Sequence, residues 1–183
     1  MKTRKICSLI LCILLVFAYC AVFCVSAEEN FSGATEFVFS DAGITVTDGE
    51  YTGYKVDGTS LTINESGIYR ISGSCADGSV KVKKGTEGVT LVLAGLDLTS
   101  DSTAPISCNK SADVTIIAAE GTKNTLTDSE KNNDETYPAN EDAENAVIKC
   151  KDGSDVTITG KGTLTLNAYG KNGIKSGATT EEE

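Results

Sequence analysis

The sequence contains no histidine and no tryptophan. Without an imidazole, Ser-His-Asp and Cys-His catalysis are excluded, and so is every zinc site built on histidine ligands. Cysteine is sparse where it would matter. Of seven, Cys7, Cys12, Cys20 and Cys24 lie near the amino terminus, which leaves Cys75, Cys108 and Cys150. Three is an odd number and too few for a disulfide-stapled mini-protein. Positive charge is short as well. Against 26 Asp and Glu stand 16 Lys and Arg, a net charge of −10, which repels phosphate backbones and anionic membranes and makes nucleic acid an unsuitable partner. A polyanionic ligand would then need a divalent cation between itself and the protein. Finally, no stretch between Glu36 and Asn167 offers the i, i+3, i+4 spacing of an amphipathic helix.

What is present begins with a leader. MKTRK is basic, ICSLILCILLVFAYCAVFC is apolar, and Val25-Ser26-Ala27 supplies small residues before Glu28. This is the pattern of a signal peptide, residues 1–27, and predicts a secreted or cell-surface protein with no membrane segment after cleavage. The rival reading is a retained anchor, since Ile6 to Val25 is long enough to span a bilayer. Cleavage removes Lys2, Arg4 and Lys5 and no acid, so 13 basic and 26 acidic side chains remain, a charge of −13. About 155 residues suffice for one domain.

From Glu36 onward the chain is a run of short alternating segments, among them EFVFS, GITVT, IYRIS, SVKVK, VTLVLAG, DVTII and DVTITG, punctuated by Gly, Asn, Asp and Ser. Period-two alternation with β-branched residues predicts strands, hence an all-β protein. Three segments overlay: one from Gly88, one from Asp113 and one from Asp155. Val89, Val114 and Val156 share one position; Leu91, Ile116 and Ile158 share the next inward one; Ile106, Ile148 and Ile174 close each unit. The first step is 25 residues and the second 42, and the excess of 17 equals the polar segment SEKNNDETYPANEDAEN, residues 129–145. A repeat of this length with one insertion predicts a right-handed, single-stranded parallel β-helix of about 25 residues per coil. Residues 28–60 are read as an amino-terminal cap and 61–176 as coils. The tail, 177–183, is either solvated or a truncation point, with further carboxyl-terminal coils expected beyond it. A monomer is expected.

The insertion concentrates oxygen donors. Asp128, Asp134, Asp142, Glu144 and Asn145 are the candidate ligands of a calcium ion, which takes six to eight oxygens from carboxylates, amides and carbonyls; a merely solvated acidic loop is the alternative. Tyr137, next to Pro138, and Tyr169 are candidate stacking platforms for a sugar ring, and Lys171 a candidate partner for a uronate carboxylate. Tyr51, Tyr54 and Tyr69 are expected to pack in the cap and first coil. Cys108 and Cys150, each two residues after an inward isoleucine, are expected to stack on adjacent coils, as free thiols or as a bridge. Lys151, Lys161 and Lys171 are possible bases for β-elimination, none singled out.

The segments YRISG at 69–73, LVLAGLDLTS at 91–100, AEGTKNTLTD at 119–128 and GKGTLTLNAYGKNGI at 160–174 resemble a secreted bacterial carbohydrate-binding domain family long catalogued as a domain of unknown function. The resemblance covers Phe37 to Ser176. It implies a fold like that of the parallel β-helix pectate lyases, calcium binding, and binding of acidic plant polysaccharide such as polygalacturonate, or of cellulose, without demonstrated lyase activity. It also places Asp128 and Asn145 on family motif positions. The chain departs from the pattern at Ser129, where the family often has Gly. The resulting expectation is a secreted, non-catalytic, calcium-assisted polysaccharide binder. Its rivals are a calcium-dependent pectate-type lyase and a surface adhesin or structural solenoid.

Overall fold

The computed structural model describes residues 31–47 and 49–177, all within the unit Phe31–Glu183; the expected signal peptide, 1–27, lies outside them. The alternating segments form strands as their pattern dictates, and among the described residues there is no helix. In chain order the strands are β1 (Thr35–Ser40), β2 (Gly43–Thr47), β3 (Tyr54–Asp57), β4 (Ser60–Ile63), β5 (Gly67–Cys75), β6 (Ser79–Val82) and β7 (Val89–Ser100). They continue as β8 (Ile106–Cys108), β9 (Asp113–Ala118), β10 (Lys123–Asp128), β11 (Ala146–Cys150), β12 (Asp155–Gly160), β13 (Thr163–Asn167) and β14 (Asn172–Lys175).

One sheet runs β12-β9-β7-β5-β1-β2, with β10 and β13 paired beside the second half of β7; the other runs β14-β11-β8-β6-β4-β3. Every pairing is parallel except two antiparallel hairpins, β1–β2 and β3–β4, which end the two sheets on the amino-terminal side. The protein is all-β, its sheets are mixed, and neither closes on itself.

The register is the one the repeat demands. Val89, Val114 and Val156 pair in sequence, as do Leu91, Ile116 and Ile158, while Ile106, Ile148 and Ile174 form the matching file in the other sheet. A slip by one residue would turn each file from core to solvent, so burial of the apolar set fixes the pairing. Val114, Ile116, Ile106 and Ile148 have no exposed surface. In the last repeat, with a neighbour on one side only, Ile158 is 40 % and Ile174 51 % exposed.

A corner between the two ladders sits within β7. Its first half pairs with β9 and its second half with β10, and Gly95, at φ +86°, makes the bend between them, a left-handed conformation that disfavours a side chain. The buried Asn124 holds this corner: its Oδ1 accepts the amides of Gly95 and Leu96, both at 2.9 Å, and its Nδ2 donates to the Thr163 carbonyl. At the amino end Phe37 meets Tyr54 edge-on with ring centroids 4.9 Å apart, and buried Tyr69 donates its hydroxyl to the Glu65 carbonyl at 3.0 Å.

Cys108 and Cys150 are register partners across β8 and β11, both buried and both free thiols. Burial, with a smaller contribution from Cys150, pushes the Cys108 thiol up to about 12. The native state therefore holds this proton more tightly than the unfolded chain, so stability is unaffected below the ordinary thiol range and falls as pH rises through it. The expected loss is roughly 1.4 kcal/mol by pH 10. Urea unfolding at pH 7.5 and pH 10 should show it, and Cys108→Ala should remove that part of the alkaline loss. Burial in the files makes a second expectation. Ile116→Ala should destabilise by about 3 kcal/mol through the cavity it leaves, whereas Ile158→Ala, at the half-exposed end of the same file, should cost less than about 1 kcal/mol.

Candidate functional site

Residues 129–145 leave the sheet at the end of β10 and return at the start of β11, as the difference in repeat length requires. The stretch is rich in asparagine and aspartate, whose short polar side chains bond to nearby backbone and so favour turns over strand. Four asparagines do this work. Asn132, with no exposed surface, accepts the amides of Glu144 and Asn145 at Oδ1 and donates through Nδ2 to the Ala146 carbonyl and to Asp128. Asn145, at φ 60°, accepts the Asp134 amide. Asn133 reaches the Gly170 carbonyl, and Asn140 donates to the carbonyls of Ser102 and Lys131.

Asp128 is the centre of this net. Its carboxylate is 1 % exposed; Oδ1 accepts the amides of Tyr169 and Gly170 at 2.7 and 3.0 Å, and Oδ2 accepts Asn132 Nδ2 at 2.9 Å. Three donors satisfy the buried charge and clamp the loop to the turn between β13 and β14. Gly170 is required by space: a Cβ there would lie 2.7 Å from the Asn132 carbonyl oxygen and 2.8 Å from Asp128 Oδ2.

Lysines tie down the rim. Lys171 meets Glu135 at 2.5 Å, Lys151 meets Glu144 at 2.6 Å and Lys131 meets Asp101 at 2.6 Å. The hydrogen bond to Asp101, together with its charge, raises the pKa of the Lys131 ammonium. Asp101 also accepts the Ser129 hydroxyl at its backbone carbonyl.

The candidate residues named from sequence gather around this loop. Asp128, Asn145, Asp134 and Glu144 belong to its net or rim, and Tyr169 and Lys171 are brought to it from the β13–β14 turn. Asp142 lies exposed, its amide bonded to Asn140 Oδ1. As a calcium cage the set does not fit. Both oxygens of Asp128 face N–H donors, Asn145 Oδ1 faces an amide, and Glu144 is taken by Lys151. Among the described residues no three Asp, Glu or Cys side chains converge as metal ligands. Of the donors expected to bind an ion, Asp128 and Asn145 instead use their side-chain oxygens to stitch the loop in place.

The stitching leaves an open depression of about 510 Å³ on the outside of the loop, lined by Tyr137, Pro138, Ala139, Thr136, Asn140, Lys131 and Ser102. Tyr137 is 38 % exposed and Tyr169 66 %. Pro138 restricts the chain next to Tyr137, and the Tyr137 carbonyl accepts the Asn140 amide at 2.9 Å, so one aromatic face is presented on a rigid turn between polar and cationic groups. Ser102, Lys131 and Asn140 were not singled out as a ligand surface from sequence. Ser102 lies between β7 and β8, remote in the chain, and nothing local marks it.

A family model described as "carbohydrate-binding domain-containing protein" matches residues 57–180. The chain belongs to that family. A family relative of the same description, from Acetivibrio thermocellus, is 39 % identical over 125 residues, which are 65 % of this chain and 42 % of the relative. The match thus spans less than half the length of that protein. No solved structure matches the chain.

The clamp generates a prediction. Asp128→Ala leaves two backbone amides and a buried Asn132 amide without their acceptor, and should destabilise by about 3 kcal/mol or more. Hydrogen exchange should localise the loss to 129–145 and to the amides of Tyr169 and Gly170, with the β7–β9 ladder still protected.

Proposed function

We propose that the protein is a non-catalytic polysaccharide-binding module that engages glycan at the stitched loop, with Tyr137 as the platform for a sugar ring. The supporting observation is the Tyr137–Pro138 depression in a chain of a carbohydrate-binding family. It combines an exposed aromatic face with a lysine, amide groups and a backbone turn already ordered before any ligand arrives, so little entropy is lost on binding. Neutral or acidic plant polysaccharide, cellulose or polygalacturonate among them, is the ligand class we assign, and the leader is read as directing the protein out of the cell. We further read the repeated parallel ladders as coils of a β-helix like that of the pectate lyases.

Lyase chemistry finds no support at the lysines named as possible bases. Lys151, Lys161 and Lys171 each face a carboxylate, Glu144, Glu120 and Glu135 respectively, and an ammonium so engaged offers no lone pair to a substrate proton. Calcium has no part in this reading, because three of the five candidate donors, Asp128, Asn145 and Glu144, are already matched to N–H groups or a lysine.

Isothermal titration with cello-oligosaccharide and with polygalacturonate tests the proposal. Tyr137→Ala should weaken binding of the neutral oligosaccharide about tenfold or more, in line with the loss of one stacking face, without lowering the unfolding midpoint. Chelator should change neither stability nor affinity. Undiminished binding by Tyr137→Ala would move the site elsewhere, and a collapse of binding in chelator would restore the ion.

A further inference from the structure

Outward positions of the second sheet carry a file of lysines that the sequence scatters. Lys55 pairs with Thr62, Thr62 with Lys81, Lys81 with Ser107, Ser107 with Lys149, and Lys149 with Lys175. Six adjacent strands, β3, β4, β6, β8, β11 and β14, thus contribute one file of four ammonium groups and two hydroxyls. Strands lie about 4.8 Å apart, so the file is about 24 Å long. The residues flanking Lys81 and Lys149 on their strands belong to the core: Val80 and Val82 beside Lys81, Ile148 and Cys150 beside Lys149, all buried. Lys83 and Lys151 continue the pattern two residues further along β6 and β11, although Lys151 is taken by Glu144. Lys55 has only a loose contact with Asp57, at 3.7 Å and exposed. Among the described residues no carboxylate lies within ion-pair distance of Lys81, Lys149 or Lys175.

Lys149 and Lys175, on adjacent strands, repel one another, and among the described residues no ion pair to either offsets the repulsion. A second feature marks the same file. Ser107, midway between Lys81 and Lys149, is 1 % exposed and its hydroxyl has no hydrogen-bond partner. Buried polar groups are normally satisfied, and an exception calls for a reason. That hydroxyl lies beneath the surface, so the groups of the file that can face a ligand are the lysines.

We infer that the Lys55–Lys81–Lys149–Lys175 file is a binding site for an extended anionic polysaccharide, its carboxylate or sulfate groups meeting the lysines directly, with no bridging cation. The inference rests on the carbohydrate-binding reading but uses a surface separate from the Tyr137 depression. A straight file of charges set at fixed spacing suits a linear chain carrying charge at intervals.

The test uses the full chain and a triple variant, K81Q/K149Q/K175Q, with circular dichroism and thermal unfolding to verify that it folds as the parent does. Polygalacturonate and dextran sulfate are titrated in EDTA at two salt concentrations, with a neutral cello-oligosaccharide in parallel. Expected are polyanion binding by the parent in EDTA, a loss of tenfold or more in the triple variant, a shallower salt dependence in that variant, and unchanged neutral binding. The ratio of affinities for the two polyanions distinguishes carboxylate from sulfate. Equal polyanion affinity in parent and variant overturns the inference, as does parent binding that disappears in EDTA. A failure confined to the polyanions leaves the Tyr137 site standing, whereas loss of neutral binding by Tyr137→Ala with polyanion binding intact separates the two in the opposite sense.

Discussion

Parallel pairing of like residues in register is the constraint on which everything else depends. Each repeat places Val on Val, Leu on Ile on Ile, and Ile on Ile on Ile, so the inner files pack as continuous columns and the outer files inherit the same alignment without being selected for it one by one. The backbone cannot rotate one strand without turning its apolar set to water. This rigidity lets an insertion of 17 residues hang between β10 and β11 without disturbing the ladder on either side. It also brings Asp128, at the end of β10, against the amides of Tyr169 and Gly170 one repeat later.

Much of this was legible in the sequence because it depends on periodicity. The strand segments, the register files, the bounds of the insertion and the stacking of Cys108 on Cys150 all follow from which positions are apolar and how far apart they recur. The bend within the first sheet does not follow from periodicity. It depends on the turn at Gly95 and the Asn124 clamp, whose bonds to Gly95, Leu96 and Thr163 join residues far apart in the chain. The gathering of site candidates at the loop was legible too, but their chemistry was not. Composition counts oxygens and says nothing of what faces them. Asp128 and Asn145 stood out as oxygen donors; in the fold the oxygens of both side chains accept protein N–H groups, and the residue that organises the loop, Asn132, was one amide among several.

The loop illustrates a general choice between ion and amide as the organiser of an acidic segment. A cation cage draws several carboxylates onto one point and leaves the segment dependent on ion supply. An asparagine net satisfies backbone N–H and carbonyl groups pairwise and leaves the carboxylates free to pair with lysines at the rim. Here Glu135, Glu144 and Asp101 do so. The depression beside Tyr137 therefore has a floor of backbone and amide groups.

Net charge is a coarse guide to the charge on any one face of a protein built by stacking. A total of −10 excludes a uniformly basic surface, but a ladder sorts residues by strand position, and outward positions of one column can hold one sign while loops hold the other. The argument from sign that an acidic protein needs a cation to meet an acidic glycan assumes that charge is spread evenly. Lys55, Lys81, Lys149 and Lys175 occupy one file while the acidic residues crowd 128–144 and the other turns, so the assumption fails on this face. At separations beyond about 8–10 Å in physiological salt, distant carboxylates are screened, and a ligand lying along the file responds to the ammonium groups beside it far more than to the sum over the molecule.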